Sequence, residues 1–263
     1  MIKEIPILIS TPLITPIMNG LKTMTRRVSG LDSINNRPND WEFVRFEDNG
    51  KGGLNAVFKR KDSILHTSIP CRYGRKGSWL WVRESFRVNS WSPDDGELTF
   101  RYEADGAISP YMMVDSEESE CDVFNKYWEQ SCDDLMKAGY ELNENECYSD
   151  YDYKALRLRP NIFLRKEAAR IWLRVESVRV ERLQDISEED AMKEGIEHYY
   201  DEDEQLWFRG YTDEADGLLS PSESFRTLWQ SINGADSWQA NPFVWVISFT
   251  VLSTTGKPDL QTT

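Results

Sequence analysis

The chain has 263 residues, with 31 Lys and Arg against 45 Asp and Glu, a formal net charge of -14. That balance argues against tight binding to long duplex DNA, which needs many cations facing the phosphates. Hydrophobic residues make up 40% of the chain, with 10 Trp, 11 Tyr and 11 Phe, enough for a core in one elaborated domain, while no apolar run of about 18 residues points to a membrane.

Ile5-Pro6-Ile7-Leu8-Ile9 reads as a short buried strand. Thr11 and Pro12 mark a helix start, with Thr at the cap and Pro at the first position, and Pro16 keeps that helix short. Asn19-Gly20 marks a turn, and Lys22 and Thr25 follow at an i, i+3 spacing that places both on one face of a helical turn. A Lys beside a Thr hydroxyl is the minimal kit for an activated nucleophile when burial keeps the amine neutral. On composition alone, Lys22 to Arg27 is a solvated basic loop.

Residues 28–40 are polar and turn-rich. Glu42 to Phe46 and Leu54 to Phe58 are strand-like runs separated by the turn signal Asp48-Asn49-Gly50, which predicts a hairpin. Trp79-Leu80-Trp81-Val82 is a buried strand that ends in Arg83 and Glu84, either a structural ion pair or the wall of a pocket. Leu98 to Tyr102 alternates as a further strand.

The pattern dissolves from about 104 to 155. Acidic runs at Asp115 to Glu120 and Glu141 to Glu146 flank a helical stretch over Asn125 to Tyr140, so this region is an acidic insertion, either solvated or a recruitment surface. Order returns at Leu156, and Ala169 to Arg182 alternates as a long half-buried strand. Ser187 and Asp190 form a capping box that opens a helix running to Glu194 and closed by Gly195. A carboxylate at that helix end asks for a facing cation, and Lys22 or Arg27 would serve. Glu194 is otherwise a surface residue. Ser222 to Ile232 is an amphipathic helix, Phe243 to Phe249 a closing strand, and the tail from about 254 is disordered.

Cys71, Cys121, Cys132 and Cys147 include no CxxC pair, and His66 and His198 are the two histidines. Neither a zinc site nor a disulfide framework is expected, and no metal or cofactor. The first residues lack the apolar core of a signal peptide, so a cytoplasmic location is expected.

Four stretches carry a resemblance. They are Asn19 through Arg27, Tyr73-Gly74 through Glu84, Val180 through Ala191, and Phe225 through Phe249 with Trp229, Asn233-Gly234, Trp238, Asn241-Pro242 and Trp245. In this order they resemble the ASCH superfamily, named for activating-signal-cointegrator homology, and more closely its members from tailed bacteriophages and prophages. The resemblance implies an α+β fold, a PUA-like mixed β-barrel with flanking helices, as a single domain over 1–263 whose acidic insertion it does not cover. Small bacterial ASCH enzymes that deacetylate N4-acetylcytidine are similar at the Gly-x-Lys-Thr-x-Thr-x-Arg motif. By that comparison Lys22, Thr25 and Glu194 are catalytic, and Thr23, Arg26, Arg27, Trp81, Arg83 and Glu84 line the substrate.

The implied chemistry has Lys22 take the proton of Thr25, whose oxygen attacks the amide carbonyl to form an acyl-enzyme that water hydrolyses. Arg83 or a backbone N–H stabilises the oxyanion, a contribution often worth about 3 kcal/mol. One departure is Asn161-Ile162-Phe163-Leu164-Arg165, which stands where phage relatives carry a His-Met-Pro-Arg-like stretch. Two alternatives share the chain: a nonenzymatic module that binds RNA or a modified base, with Lys22, Arg26 and Arg27 on phosphate and tryptophans on bases, and an acidic phage protein that engages a host partner.

Overall fold

The computed structural model describes residues 2–50, 52–92, 97–112, 118–144, 147–212 and 217–259. In chain order the elements are β1 (Glu4–Leu8), α1 (Ile14–Met18), β2 (Met24–Arg27), α2 (Asp32–Asn35), β3 (Trp41–Asp48), β4 (Leu54–Arg60), β5 (His66–Pro70), β6 (Trp79–Arg83) and β7 (Phe86–Ser92). They continue with β8 (Glu97–Tyr102), β9 (Ile108–Met112), α3 (Glu118–Lys137), β10 (Trp172–Arg182), α4 (Glu188–Lys193), β11 (His198–Tyr200), β12 (Leu206–Phe208), α5 (Pro221–Asn233) and β13 (Phe243–Ser253). The class is mixed α+β, with strands in several sheets and few helices. Among the described residues no sheet closes into a barrel, where the resemblance implied one.

The chain divides into two compact units. The first comprises Met1–Ile5, Pro16–Leu80 and Leu173–Leu252. It is built on a five-stranded sheet of order β1-β6-β10-β13-β2, to which β1 and β6 give their residues up to Ile5 and Leu80. β13 is its central hydrophobic element, buried continuously from Phe243 to Ile247, because an inner strand with both faces covered has no polar side to show. β2 pairs antiparallel with β13, Thr25 opposite Ile247 and Arg27 opposite Trp245.

A three-stranded sheet β3-β4-β5 belongs to the same unit. The hairpin expected around Asp48-Asn49-Gly50 is present, with Phe43 opposite Phe58. Phe58 in turn meets Phe243 edge-on at 5.2 Å. The polar stretch after the basic motif contains a short helix that composition hid. α2 buries Ile34, and its Asn35 side chain both donates to and accepts from the Phe243 backbone. β11 and β12 form a small antiparallel hairpin, with Tyr199 opposite Trp207.

α4 and α5 pack together, and Glu188 in the first turn of α4 accepts hydrogen bonds from Ser220 and Ser222 at the start of α5. The amphipathic reading of α5 holds. Phe225, Leu228 and Trp229 are its buried stripe, and Gly234, at φ 96°, ends it.

The second unit comprises Pro6–Thr15, Trp81–Trp172 and Ser253–Thr263. Its sheet β7-β8-β9 packs with α3 around Phe86, Val88, Leu98, Phe100, Tyr102, Tyr127, Leu135, Leu156 and Leu164. The helix expected over 125–140 is therefore present, as α3, and it contributes Tyr127 and Leu135 to a core. Asp115 to Glu117 and Asn145 to Glu146, parts of the two acidic runs, lie outside the described residues. So does the last part of the tail, which is described as far as Asp259. Among the described residues no helix is long and apolar enough to cross a membrane.

Candidate functional site

The basic motif is extended chain. After the turn at Gly20, the backbone N–H groups of Leu21 and Lys22 both donate to the Pro16 carbonyl. Thr23 is then tied by its backbone on both sides, its N–H to the Lys193 carbonyl and its carbonyl to the Phe249 N–H. β2 follows directly. This corrects the helical-turn expectation for Lys22 and Thr25. In an extended segment side chains alternate, so Lys22, Met24 and Arg26 point to one side and Thr25 and Arg27 to the other. The reason is tertiary: the edge of β13 supplies a hydrogen-bonding partner that a local turn lacks.

Lys22 forms an isolated antiparallel bridge with Glu194, and its Nζ donates to both the carbonyl oxygen and Oε2 of Glu194 at 2.8 Å. Lys22 is 1% exposed and Glu194 3%. Glu194 reaches this place because α4 stops there. Ser187 caps the helix start by accepting from the Asp190 N–H, and Gly195 at φ 80° turns the chain at its end. A Cβ at Gly195 would stand 2.6 Å from Cβ of Lys22 and 3.1 Å from Cβ of Pro16, so only glycine fits between them.

The other carboxylate oxygen of Glu194 accepts from Arg26 Nη1 at 3.0 Å. Arg26 is itself enclosed. Its Nε and Nη2 both donate to Glu181 Oε1, at 3.1 and 2.5 Å, and Nη2 also reaches Asp190 Oδ2 at 3.3 Å. The guanidinium lies 5.6 Å from the centroid of the Phe225 ring, and Nη1 also contacts the Met24 sulfur at 3.5 Å. Asp190 is shared further with Arg179, 2.6 Å away. Three carboxylates, Glu181, Asp190 and Glu194, and three basic side chains, Lys22, Arg26 and Arg179, thus alternate through one small volume, where a charge without a partner would be costly.

The electrostatics follow from burial. Desolvation draws the Lys22 ammonium below the usual lysine range; Glu194 opposes this, and Arg27 and Arg26 reinforce it. Arg27 is drawn down as well, mainly by burial, with Tyr73 and Glu194 pulling the other way. Burial raises the Tyr73 phenol. Asp190 is held below the usual carboxylate range although desolvation works against it, because Arg179 bonds it and Arg26 and Lys193 stand near.

The structure thus brings together Lys22, Arg26 and Glu194 of the expected site residues. Thr25 is buried on the same strand, but the hydrogen bonds of Lys22 Nζ go to Glu194. Thr23 contributes backbone. Glu181, Asp190 and Arg179 were missed as site residues. Asp190 had been assigned to the capping box, yet only its backbone N–H caps, and its carboxylate serves Arg26 and Arg179 instead.

Trp81, Arg83 and Glu84 belong to the second unit. Arg83 and Glu84 do not form the ion pair that their adjacency suggested. Arg83 lies over the Trp81 ring at 4.7 Å, while Glu84, 1% exposed, takes the Arg170 guanidinium on both oxygens at 2.9 and 2.7 Å. Arg170 also reaches Asp105 at 2.8 Å and stacks on Tyr102. Among the described residues no group of three or more His, Cys, Asp or Glu side chains is placed to hold a metal ion.

The Lys22–Glu194–Arg26 cluster sets a buried amine against a buried carboxylate, a pair between which a proton can be exchanged. Comparison of the chain with protein-family models, with curated proteins and with solved structures found no match.

Proposed function

We propose that the chain is an ASCH-type protein whose first unit hydrolyses the amide of an N4-acylated cytosine nucleoside or nucleotide. The observation that carries this reading is the direct, buried contact between Lys22 and Glu194, 172 positions apart in sequence. These are two of the three residues that the resemblance assigns to catalysis, and nothing local forces them together.

The steps use this chain's own groups. Lys22, drawn towards its neutral form by burial, gives up its bond to Glu194 when substrate enters and, because extended chain sends the two side chains to opposite sides, takes the Thr25 hydroxyl proton through a bridging water. The Thr25 oxygen attacks the acyl carbonyl. Collapse of the tetrahedral adduct expels the cytosine amino nitrogen, which takes the proton back from Lys22, and water then hydrolyses the Thr25 ester to release the carboxylic acid. Glu194 orients the amine between steps. Arg26 is engaged by three carboxylates and takes no part in contacting substrate, which leaves Arg27 as the cation of β2 that faces it.

A second reading, a nonenzymatic module that binds RNA or a modified base, is favoured by one observation: both oxygens of Glu194 already have partners. One experiment separates the two. Purified protein is incubated with N4-acetylcytidine beside Lys22→Ala and Thr25→Ala variants, and the products are resolved by chromatography. Cytidine released by the parent chain alone is the expected result. Release that survives Thr25→Ala but not Lys22→Ala would make water the nucleophile and overturn the role of Thr25. No release from any folded protein would overturn the hydrolytic reading and leave base binding as the function of the cluster.

A further inference from the structure

Arg26 occupies a place that neither the catalytic motif nor composition explains. An exposed arginine in a basic loop would contact phosphate. This one is 4% exposed and has its donors directed at protein carboxylates. The cluster also has a definite connectivity. Glu194 is divided, Oε2 towards Lys22 and Oε1 towards Arg26. Arg26 is divided in turn, Nη1 towards Glu194 and its other side towards Glu181 and Asp190. Asp190 is drawn off by Arg179 and Lys193, and Glu181 lies 3.8 Å from Arg179.

We propose that Arg26, clamped by Glu181 and Asp190, is a positioning residue that apportions the Glu194 carboxylate between itself and Lys22, and so sets how firmly Lys22 keeps its proton. The inference rests on the proposed hydrolytic role of Lys22 for its functional meaning, though not for its geometry.

The sign of each perturbation follows from this connectivity. Removing the Arg26 charge frees Glu194 to bind Lys22 with both oxygens and removes a nearby cation, so the ammonium is held more firmly. Removing the Glu181 charge has the opposite effect. Arg26 loses its outer counter-charge, turns more fully to Glu194, and leaves Lys22 with less of the carboxylate. The charged groups facing Lys22 among the described residues enter this account. Glu194 lies at the end of α4, Arg26 and Arg27 on β2, Glu181 and Arg179 on β10 act through Arg26, and Asp190 and Lys193 on α4 do the same. Tyr73 acts through Arg27. A purely structural role predicts no such opposition, because either substitution would simply loosen the cluster.

The test is the titration of Lys22 by NMR in the full chain carrying 13C-labelled lysine, its signal assigned by its loss in Lys22→Arg. Arg26→Gln is expected to raise the Lys22 midpoint by about one pH unit or more, and Glu181→Gln to lower it, each shift being a tenfold or similar change in proton affinity. Glu181→Gln keeps shape and hydrogen bonding, so it provides a reading even where Arg26→Gln fails to fold. Midpoints that stay fixed, or move in the same direction in both variants, would overturn the inference. Shifts of the expected signs in a protein without N4-acetylcytidine turnover would uphold the positioning role and reject the hydrolytic reading.

Discussion

Lys22 and Glu194 meet twice, once through a backbone bridge and once through the Lys22 ammonium, which lies 2.8 Å from both the carbonyl and the Oε2 oxygen of Glu194. A contact of this kind fixes the end of α4 onto the strand that carries the basic motif. It also makes each charge dependent on the other.

The first prediction concerns that dependence. Lys22→Met alone and Glu194→Leu alone should each destabilise the chain by about 3–5 kcal/mol, because Glu194→Leu leaves the buried ammonium without its counter-charge and Lys22→Met leaves Glu194 only Arg26 to balance it. The double variant should cost clearly less than the sum, since both charges leave together. Denaturant unfolding of the four proteins gives the cycle, and additive losses would show that the pair contributes nothing beyond its separate side chains.

The second concerns pH. Burial holds Lys22 below its unfolded value of about 10.5. Between the two values the unfolded chain binds the extra proton, so stability rises with pH across that interval. The penalty is complete below the folded value and gone above about 10.5. The stability of the parent chain minus that of Lys22→Met should therefore increase from pH 7 towards pH 10.5. A difference that falls with pH would mean that Glu194 outweighs burial and raises the amine instead.

The third uses two glycines that share a positive φ. Gly195 and Gly234 have φ of 80° and 96°, but a Cβ at Gly195 meets Lys22 at 2.6 Å while one at Gly234 meets nothing within 4 Å. Gly234→Ala should cost about 1 kcal/mol, the cost of a positive φ with ψ 155° alone. Gly195→Ala should cost about 2–4 kcal/mol, because the clash adds to it. Equal losses in calorimetric midpoints would show that Lys22 and Pro16 yield without penalty.

The fourth compares a buried pair with an exposed one. Glu84→Gln breaks the two-pronged bond to Arg170 and should destabilise by about 3 kcal/mol. Glu197→Gln breaks the surface contact with Arg209, where both side chains are half exposed, and should change stability by about 0.5 kcal/mol or less. Urea midpoints measure both, and a cost for Glu84→Gln as small as that for Glu197→Gln would mean that Asp105 alone satisfies Arg170.

By itself the sequence determined the elements whose signals are local. The β3–β4 hairpin follows from its turn residues, β10 from alternation, α4 from Ser187 and Gly195, and α5 from its apolar stripe, because caps, turns and periodicity act over a few residues. It also marked Lys22 and Glu194 as candidates. Only the tertiary structure decided what these residues do. It drew Lys22 to Arg27 into extended chain against β13, where the i, i+3 spacing no longer places Lys22 beside Thr25. It recruited Glu181 and Asp190, one from an alternating strand and one from a cap, to enclose Arg26. It separated Arg83 from Glu84 by giving each a better partner. The physical reason is common to all of them. A buried charge must find its counter-charge in three dimensions, and no spacing along the chain encodes which one comes within reach.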